Sequence, residues 1–561
     1  MGNTHSQKRK HHHAQSKAVS RIHLGCHSFD SISTLHYEKA ALDDRLVPST
    51  DYDCHCLSKK RSFDLSHKQS IRTFNYKLTW IIDALRRSDY QRLDSAGETY
   101  VDYMGGALYP ESLLRVHTDF LSQVVMGNTH SASDPSRLSL KYATEARQAV
   151  LSFFKAPPGY TVVFTANASA ALKLVGESYP FSAESCFVLP VDSHNSVNGI
   201  RQFALARRAK VEYIPSTPCG GLLEAEAKSI LLRSRPRLRD KKHPTSLFGF
   251  TGQSNISNYK PSLSILKYAS ALGYHTLLDA AALAPTSTLS LAEHPVDAMA
   301  ISFYKMFGFP TGVGALVVKK TFLAQLRRPW FSGGTVNVVQ VPGPVVTMTT
   351  DLHERFEDGT INYLSLPAVT DGLQFLSAYL PFIPLRLSCL MHYLSRALAR
   401  IRHDVNGLSV VRILSKTPAR RLRSVGDQSD AGSTISFIFL SPSGEMIPLS
   451  FVDFAASKFS ISLRTGCMCN PGGAAALLNI TNAMGALQDG VTHQDFQEVV
   501  GRELGVVRVS LGLASNFQDA WRVVQFAAML GRERERIALW DQYAEGRRHA
   551  EDQGAGTWPL E

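Results

Sequence analysis

Between residues 74 and 530, short apolar runs alternate with longer stretches of helical spacing. The runs lie at 162–165, 186–190, 210–214, 246–251, 275–279, 298–303 and 314–318. Most are dense in Val, Leu, Ile and Phe, as expected of strands buried on both faces. Residues 137–155, 168–178, 195–208 and 260–272 read as the helices between them. This alternation predicts an α/β fold with a mainly parallel, seven-stranded sheet sandwiched by helices. Upstream, 77–92 reads as an amphipathic helix leading to a short strand at 100–103 and the Gly105-Gly106 turn. Residues 363–404 read as largely helical. Strands near 408–413, 433–440 and 506–510, with helices at 448–457, 493–501 and 517–530, predict a smaller α+β unit. The organisation expected is an extension at 1–72, a large domain at 73–362, a helical connection and small domain at 363–530, and a charged tail at 531–561.

Composition narrows the class. With 561 residues, 44% of them hydrophobic, the chain can bury two or three substantial cores. Charged residues are 19%, which fits a folded enzyme better than a disordered regulator. Of the net charge of +12, residues 1–72 carry +5, and a loop at 415–431 with Arg420, Arg421 and Arg423 carries +2. No nucleic-acid-binding motif accompanies it, so no nucleic-acid partner is expected. Eight cysteines are too sparse for a disulfide framework. No apolar run reaches the roughly 18 residues of a membrane span, and no signal-peptide core opens the chain. A reducing, cytoplasmic location is the expectation. Residues 1–72 are polar and rich in histidine, without apolar periodicity, and are expected to be disordered. The run His11-His12-His13 and the stretch Asp53-Cys54-His55-Cys56 lack the paired spacing of a zinc site, so no metal is expected. Gly2 and Ser6 match an N-myristoylation pattern, and Lys8, Arg9 and Lys10 follow. An acyl chain plus a basic cluster would give peripheral membrane contact.

The candidate chemistry lies at the ends of the predicted strands. Pyridoxal 5′-phosphate requires a lysine for its aldehyde, a carboxylate for its ring nitrogen, a phosphate site and a flat group over the ring. Thr165-Ala166-Asn167-Ala168-Ser169 follows one strand and opens a helix. His194, Asp279 and Lys305 each follow another. Taken singly, these are an ordinary helix cap, a structural imidazole, a turn carboxylate and a surface amine. Their order along the chain favours the cofactor. Much further on, Arg464-Thr465-Gly466-Cys467-Met468-Cys469-Asn470 places two thiols beside an arginine and a glycine turn. A thiolate there could attack sulfur.

The ordered stretches resemble the class V aminotransferase family of fold-type I pyridoxal phosphate enzymes. They are YVDYMGGALYP at 100–110, GNTHSAS at 127–133, the stretch 164–177, HNSVNGIR at 194–201, QSNIS at 253–257, LLDAA at 277–281, SFYKMFGFPTGVGA at 302–315, FSGGTV at 331–336, FEDGTIN at 356–362, ISLRTGCMCNPG at 461–472 and VRVSLG at 507–512. Within that family they are most similar to the cysteine-desulfurase domain of eukaryotic molybdenum cofactor sulfurases, over roughly 75–530. The resemblance implies that Lys305 binds the cofactor aldehyde and shuttles the α-proton. It implies that Asp279 pairs with the ring nitrogen, that His194 covers the ring, and that Asn255 lies near the 3-hydroxyl. Ala168, Ser169 and Ser302 would hold the phosphate, and Thr335 would reach the phosphate of a partner subunit in a homodimer. Arg508 would bind the carboxylate of L-cysteine, and Arg464 would order the thiol loop. Cys469, with Cys467 as second candidate, would receive the sulfur as a persulfide for a sulfur acceptor. Were the loop extended, both thiols would face the same way, and Gly466, Gly472 and Gly473 would let it move. Ala282 stands where bacterial desulfurases carry glutamine. The further C-terminal domain of those sulfurases has no counterpart up to Glu561, so an acceptor domain is expected on another chain. Two other readings stay open: a stand-alone C–S lyase of specialised metabolism, and an inactive membrane-tethered scaffold.

Overall fold

In the computed structural model, residues 74–236 and 246–552 are described. The acylation pattern, the histidine run and the 1–72 extension lie outside them. Seven strands form the main sheet: β1 Tyr160–Thr165, β2 Cys186–Pro190, β3 Lys210–Ile214, β4 Leu247–Thr251, β5 His275–Asp279, β6 Ala298–Ser302 and β7 Gly314–Lys319. Their spatial order is β1-β7-β6-β5-β4-β2-β3. Only β7 runs against its neighbours, pairing antiparallel with both β1 and β6. The C-terminal ends of the other six therefore open on one edge, where open α/β sheets place their ligands.

Period-2 alternation divides the strand residues between two cores. Leu316 and Val318 of β7, with Ala298 and Ala300 of β6, pack with Ala171, Leu172 and Val175 of helix Ala168–Ser178. Ala315 and Val317, with Met299 and Ile301, pack on the opposite face with Ala143, Ala146 and Val150 of helix Asp134–Phe153. This second core continues without a break into a four-stranded antiparallel sheet. Its strands are β8 Val411–Ile413, β9 Thr434–Phe439, β10 Arg464–Gly466 and β11 Val506–Ser510, in the order β8-β9-β11-β10. Glu357 makes a bidentate pair with Arg147 at 2.7 and 2.8 Å and accepts the backbone N–H of Phe164. The FEDG stretch is thereby locked to β1.

Differences from the sequence reading have local causes. The helix expected at 195–208 is two short ones, Asn195–Asn198 and Ile200–Ala206, separated at Gly199. The helix expected from 260 starts at Ser264, because Pro261 biases Lys260 away from helical backbone. The strand expected at 100–103 is only Thr99–Tyr100, since the Asp102 carbonyl already accepts the N–H groups of Gly105 and Gly106. A hairpin, Val336–Val339 with Val346–Met348, and helix Pro471–Leu478 had not been anticipated. Residues 415–431 form no regular element and are mostly exposed. Among the described residues, no single helix is long and apolar enough to cross a membrane.

Helix Leu366–Tyr379 carries one ill-matched group. Burial pushes the carboxyl of Asp371 from 3.8 up to about 6. The folded chain thus holds this proton more tightly than the unfolded chain does. Stability is full below about pH 4 and falls as pH rises through about 6. Asp371→Asn should flatten that part of the thermal-melting profile and stabilise the protein at pH 8 by on the order of 1–2 kcal/mol. A melting profile identical to wild type would contradict this.

Candidate active site

The phosphate corner is built where β1 meets its helix. The Asn167 side chain caps helix Ala168–Ser178 by accepting the N–H of Ala170 at 2.9 Å. The N–H of Ala168 donates to Ser302 Oγ at 2.8 Å, joining this corner to the end of β6. The exposed Ser169 hydroxyl meets that of Ser196 at 2.5 Å. A capped helix start with hydroxyls around it suits an anion.

His194 follows β2. Its Nδ1 accepts the N–H of Ser196 at 3.1 Å, which leaves the proton of the neutral ring on Nε2. Burial holds its pKa below the usual value. Asp279 ends β5, and its Oδ1 accepts the N–H of Ala281 at 3.0 Å. Lys305 sits on the single turn Phe303–Phe307 that follows β6. Gly308 ends this turn at φ 83°, and a Cβ there would lie 2.3 Å from the backbone nitrogen of Tyr109. Burial lowers the proton affinity of the Lys305 amine; Asp279 opposes that effect, and Arg508 and Arg464 add to it. Ala168, Ser169, His194, Asn255, Asp279, Ser302 and Lys305 line one cleft of about 620 Å³.

The thiol loop is not extended. Met468 and Cys469 occupy left-handed backbone at φ 57° and 52°, so the two thiols do not share a face as alternation would require. Cys469 is exposed. Cys467 is half-buried, and burial with the nearby Cys469 pushes its thiol up. Three contacts pin the loop to the strand ends. Asn195 N–H donates to Cys469 O at 2.7 Å, and Asn255 Nδ2 donates to Met468 O at 2.6 Å. Asn470, fully buried, donates to Asp192 Oδ1 at 2.7 Å and to Asn255 Oδ1 at 3.0 Å. Its own oxygen caps helix Pro471–Leu478 through the N–H of Gly473. Gly472 permits close approach: a Cβ there would lie 2.2 Å from Val191 O. That glycine serves packing rather than the mobility expected of it.

Four expected site residues lie outside the cleft lining. Arg508 is buried, held by Asp102 Oδ1 and by Asn255 O at 3.1 Å, while its Nε is buried without a partner. Arg464 faces Arg508 across the β10–β11 ladder and is exposed. Cys469 reaches the cleft rim only through its backbone contact to Asn195, next to His194. Thr335 is fully buried, and its hydroxyl both donates to Ser332 O and accepts Ser332 N–H. To donate to the phosphate of a partner subunit it would have to give up its bond to Ser332 O. Sequence reasoning assigned no role to Asp192, Gln253 or Asn470. Their only signal is polar side chains just past apolar strands or beside the thiols.

The family model for aminotransferase class V matches residues 99–522. The chain belongs to the class V aminotransferase family. It is 33% identical over 478 residues to a molybdenum cofactor sulfurase of Arabidopsis thaliana, an alignment covering 79% of this chain and 57% of that protein. With the molybdenum cofactor sulfurase of Bos taurus the identity is 35%, covering 79% of this chain and 51% of the relative. The chain thus spans about half the length of these relatives. Its fold is that of a cysteine desulfurase from Thermococcus onnurineus NA1, with TM-score 0.61 and 19% identity over 80% of this chain and 97% of that one. A cysteine desulfurase from Escherichia coli gives TM-score 0.59 at 18% identity, covering 79% and 97%. The class V member described here therefore has the fold-type I architecture expected from its sequence.

Thiol exposure orders reactivity in this class V protein. Among the cysteines of the described residues, iodoacetamide should label Cys469 and Cys219 first, Cys467 more slowly, and the buried Cys186 and Cys389 last, as read by peptide mass spectrometry. Gly472→Ala should speed Cys467 labelling and lower the melting temperature. Equal labelling of Cys467 in both proteins would refute the close-approach account.

Proposed function

We propose that this chain is a pyridoxal phosphate-dependent cysteine desulfurase. It would convert L-cysteine to L-alanine and leave the sulfur as a persulfide on Cys469. The observation that carries this reading is the convergence of a lysine whose proton affinity burial lowers, a carboxylate, an imidazole and a capped helix start on one cleft, with the backbone of Cys469 held by Asn195 beside it. The names of the sulfurase relatives support it. They also support molybdenum cofactor, or a protein carrying it, as the sulfur acceptor.

The residues present fit the cofactor. Ala168, Ser169 and Ser302 would hold the phosphate, Asp279 the ring nitrogen, His194 the ring face and Lys305 the aldehyde. When bound, pyridoxal phosphate supplies an electron sink for charge developing at the substrate α-carbon. The amine of Lys305, whose proton affinity burial lowers, would remove the α-proton and later return one. Arg508 offers its unpartnered Nε, and its guanidinium charge, to the substrate carboxylate. Cys469 attacks as thiolate: a bond forms from its Sγ to the substrate sulfur while the substrate's C–S bond breaks. The electron pair of that bond stays with the carbon fragment, which takes up a proton and leaves as alanine.

Incubation of purified protein with pyridoxal phosphate and L-cysteine should yield alanine and one persulfide, mapped to Cys469. Cys469→Ser should abolish the persulfide and lower alanine formation at least about 100-fold. Lys305→Ala should lose the visible absorbance of the lysine-bound cofactor. Elimination products without alanine would indicate a C–S lyase instead.

A further inference from the structure

Gln253 follows β4 and is 2% exposed, yet neither Oε1 nor Nε2 of its amide has a hydrogen-bond partner. Such a side chain is expensive in a core, because each unpaired polar atom carries its full desolvation penalty. It is packed in place, not loosely placed. Gly432 lies so close that a Cβ there would approach Nε2 to 2.4 Å. The side chain also lines the same cleft as Asp279 and Lys305. Its neighbour Asn255, expected to serve the cofactor's 3-hydroxyl, has its carbonyl engaged by Asn470 and one N–H engaged by Met468 O. Ala282, across the cleft lining, offers no polar group.

We propose that Gln253 is a cofactor-contact residue whose amide donates to the oxygen substituent of the pyridoxal phosphate ring. The inference rests on the cofactor reading above. Among the described residues the amide breaks no hydrogen bond in turning to the ring, and the torsion that turns it is a soft one. Asn255 then remains free to hold the thiol loop, so the two amides divide the work: Gln253 takes the ring and Asn255 takes the loop.

The test uses apo and loaded full-length protein. Pyridoxal phosphate is titrated into apo wild type, Gln253→Met and Gln253→Ala, with binding read by quenching of intrinsic fluorescence and stability by melting temperature. Apo Gln253→Met should melt at or above the wild-type temperature, since an unpaired amide is removed. Its affinity for pyridoxal phosphate should fall about tenfold. The pH midpoint of the bound cofactor's absorbance should also shift, because a donor to the ring oxygen is lost. Gln253→Ala, which cannot overpack, should show the same loss of affinity. Wild-type affinity in both variants, or a drop in apo stability with affinity unchanged, would overturn the proposal and make the amide structural. Wild-type protein that takes up no pyridoxal phosphate would overturn the cofactor reading and this proposal together. The two failures are therefore distinct.

Discussion

The Asp192 carboxylate is the constraint on which the site's geometry depends. It is buried and accepts four hydrogen bonds: from Gly221 N–H, Ser257 Oγ, Ser254 Oγ and Asn470 Nδ2. Four donors saturate the lone pairs of an ionised carboxylate. An ion of this kind, left short of partners in a protein interior, costs several kcal/mol. The donors come from three separate stretches of the chain, with Ser254 and Ser257 sharing one. Asp192 itself lies two residues before His194, Ser254 lies beside Asn255, and Asn470 lies beside Cys469. A single satisfied charge therefore fixes where the imidazole, the cleft amides and the thiol loop stand relative to one another.

The second determinant is the balance of charge around Lys305. Asp279 favours the protonated amine, while burial, Arg508 and Arg464 disfavour it, and the net effect lowers its proton affinity. Arg508 can stand so close because Asp102 shares its charge. Arg464 stands directly across the ladder from Arg508, so two positive charges lie side by side on β10 and β11.

The main sheet could be read from the sequence because its strands are buried on both faces and so are apolar at nearly every position. Six of the seven were placed within one residue at each end, since turn residues bracket them. The convergence of Ala168, His194, Asp279 and Lys305 on one cleft follows from the same pattern, as each lies at or just past the end of a visible strand, whereas Ser302 was implied only by the family resemblance. The thiol loop resisted this reading. Its left-handed turns at Met468 and Cys469 are imposed by contacts to Asn195, Asn255 and Asp192, at least 213 residues away in sequence for Asn255. No local signal encodes them. The roles of Gly472, Asp192 and Gln253 likewise exist only once distant strands meet.

The central claim is that the Asp192–Asn470 contact positions a thiol for sulfur transfer over a separately assembled proton-transfer site. Stopped-flow mixing of cofactor-loaded Asn470→Ala with L-cysteine, combined with quenched-flow measurement of alanine, separates the two parts. The account predicts that the absorbance change on substrate binding keeps its wild-type rate, while alanine and Cys469 persulfide form at least about tenfold more slowly. Wild-type rates of both, or equal loss of both, would contradict it.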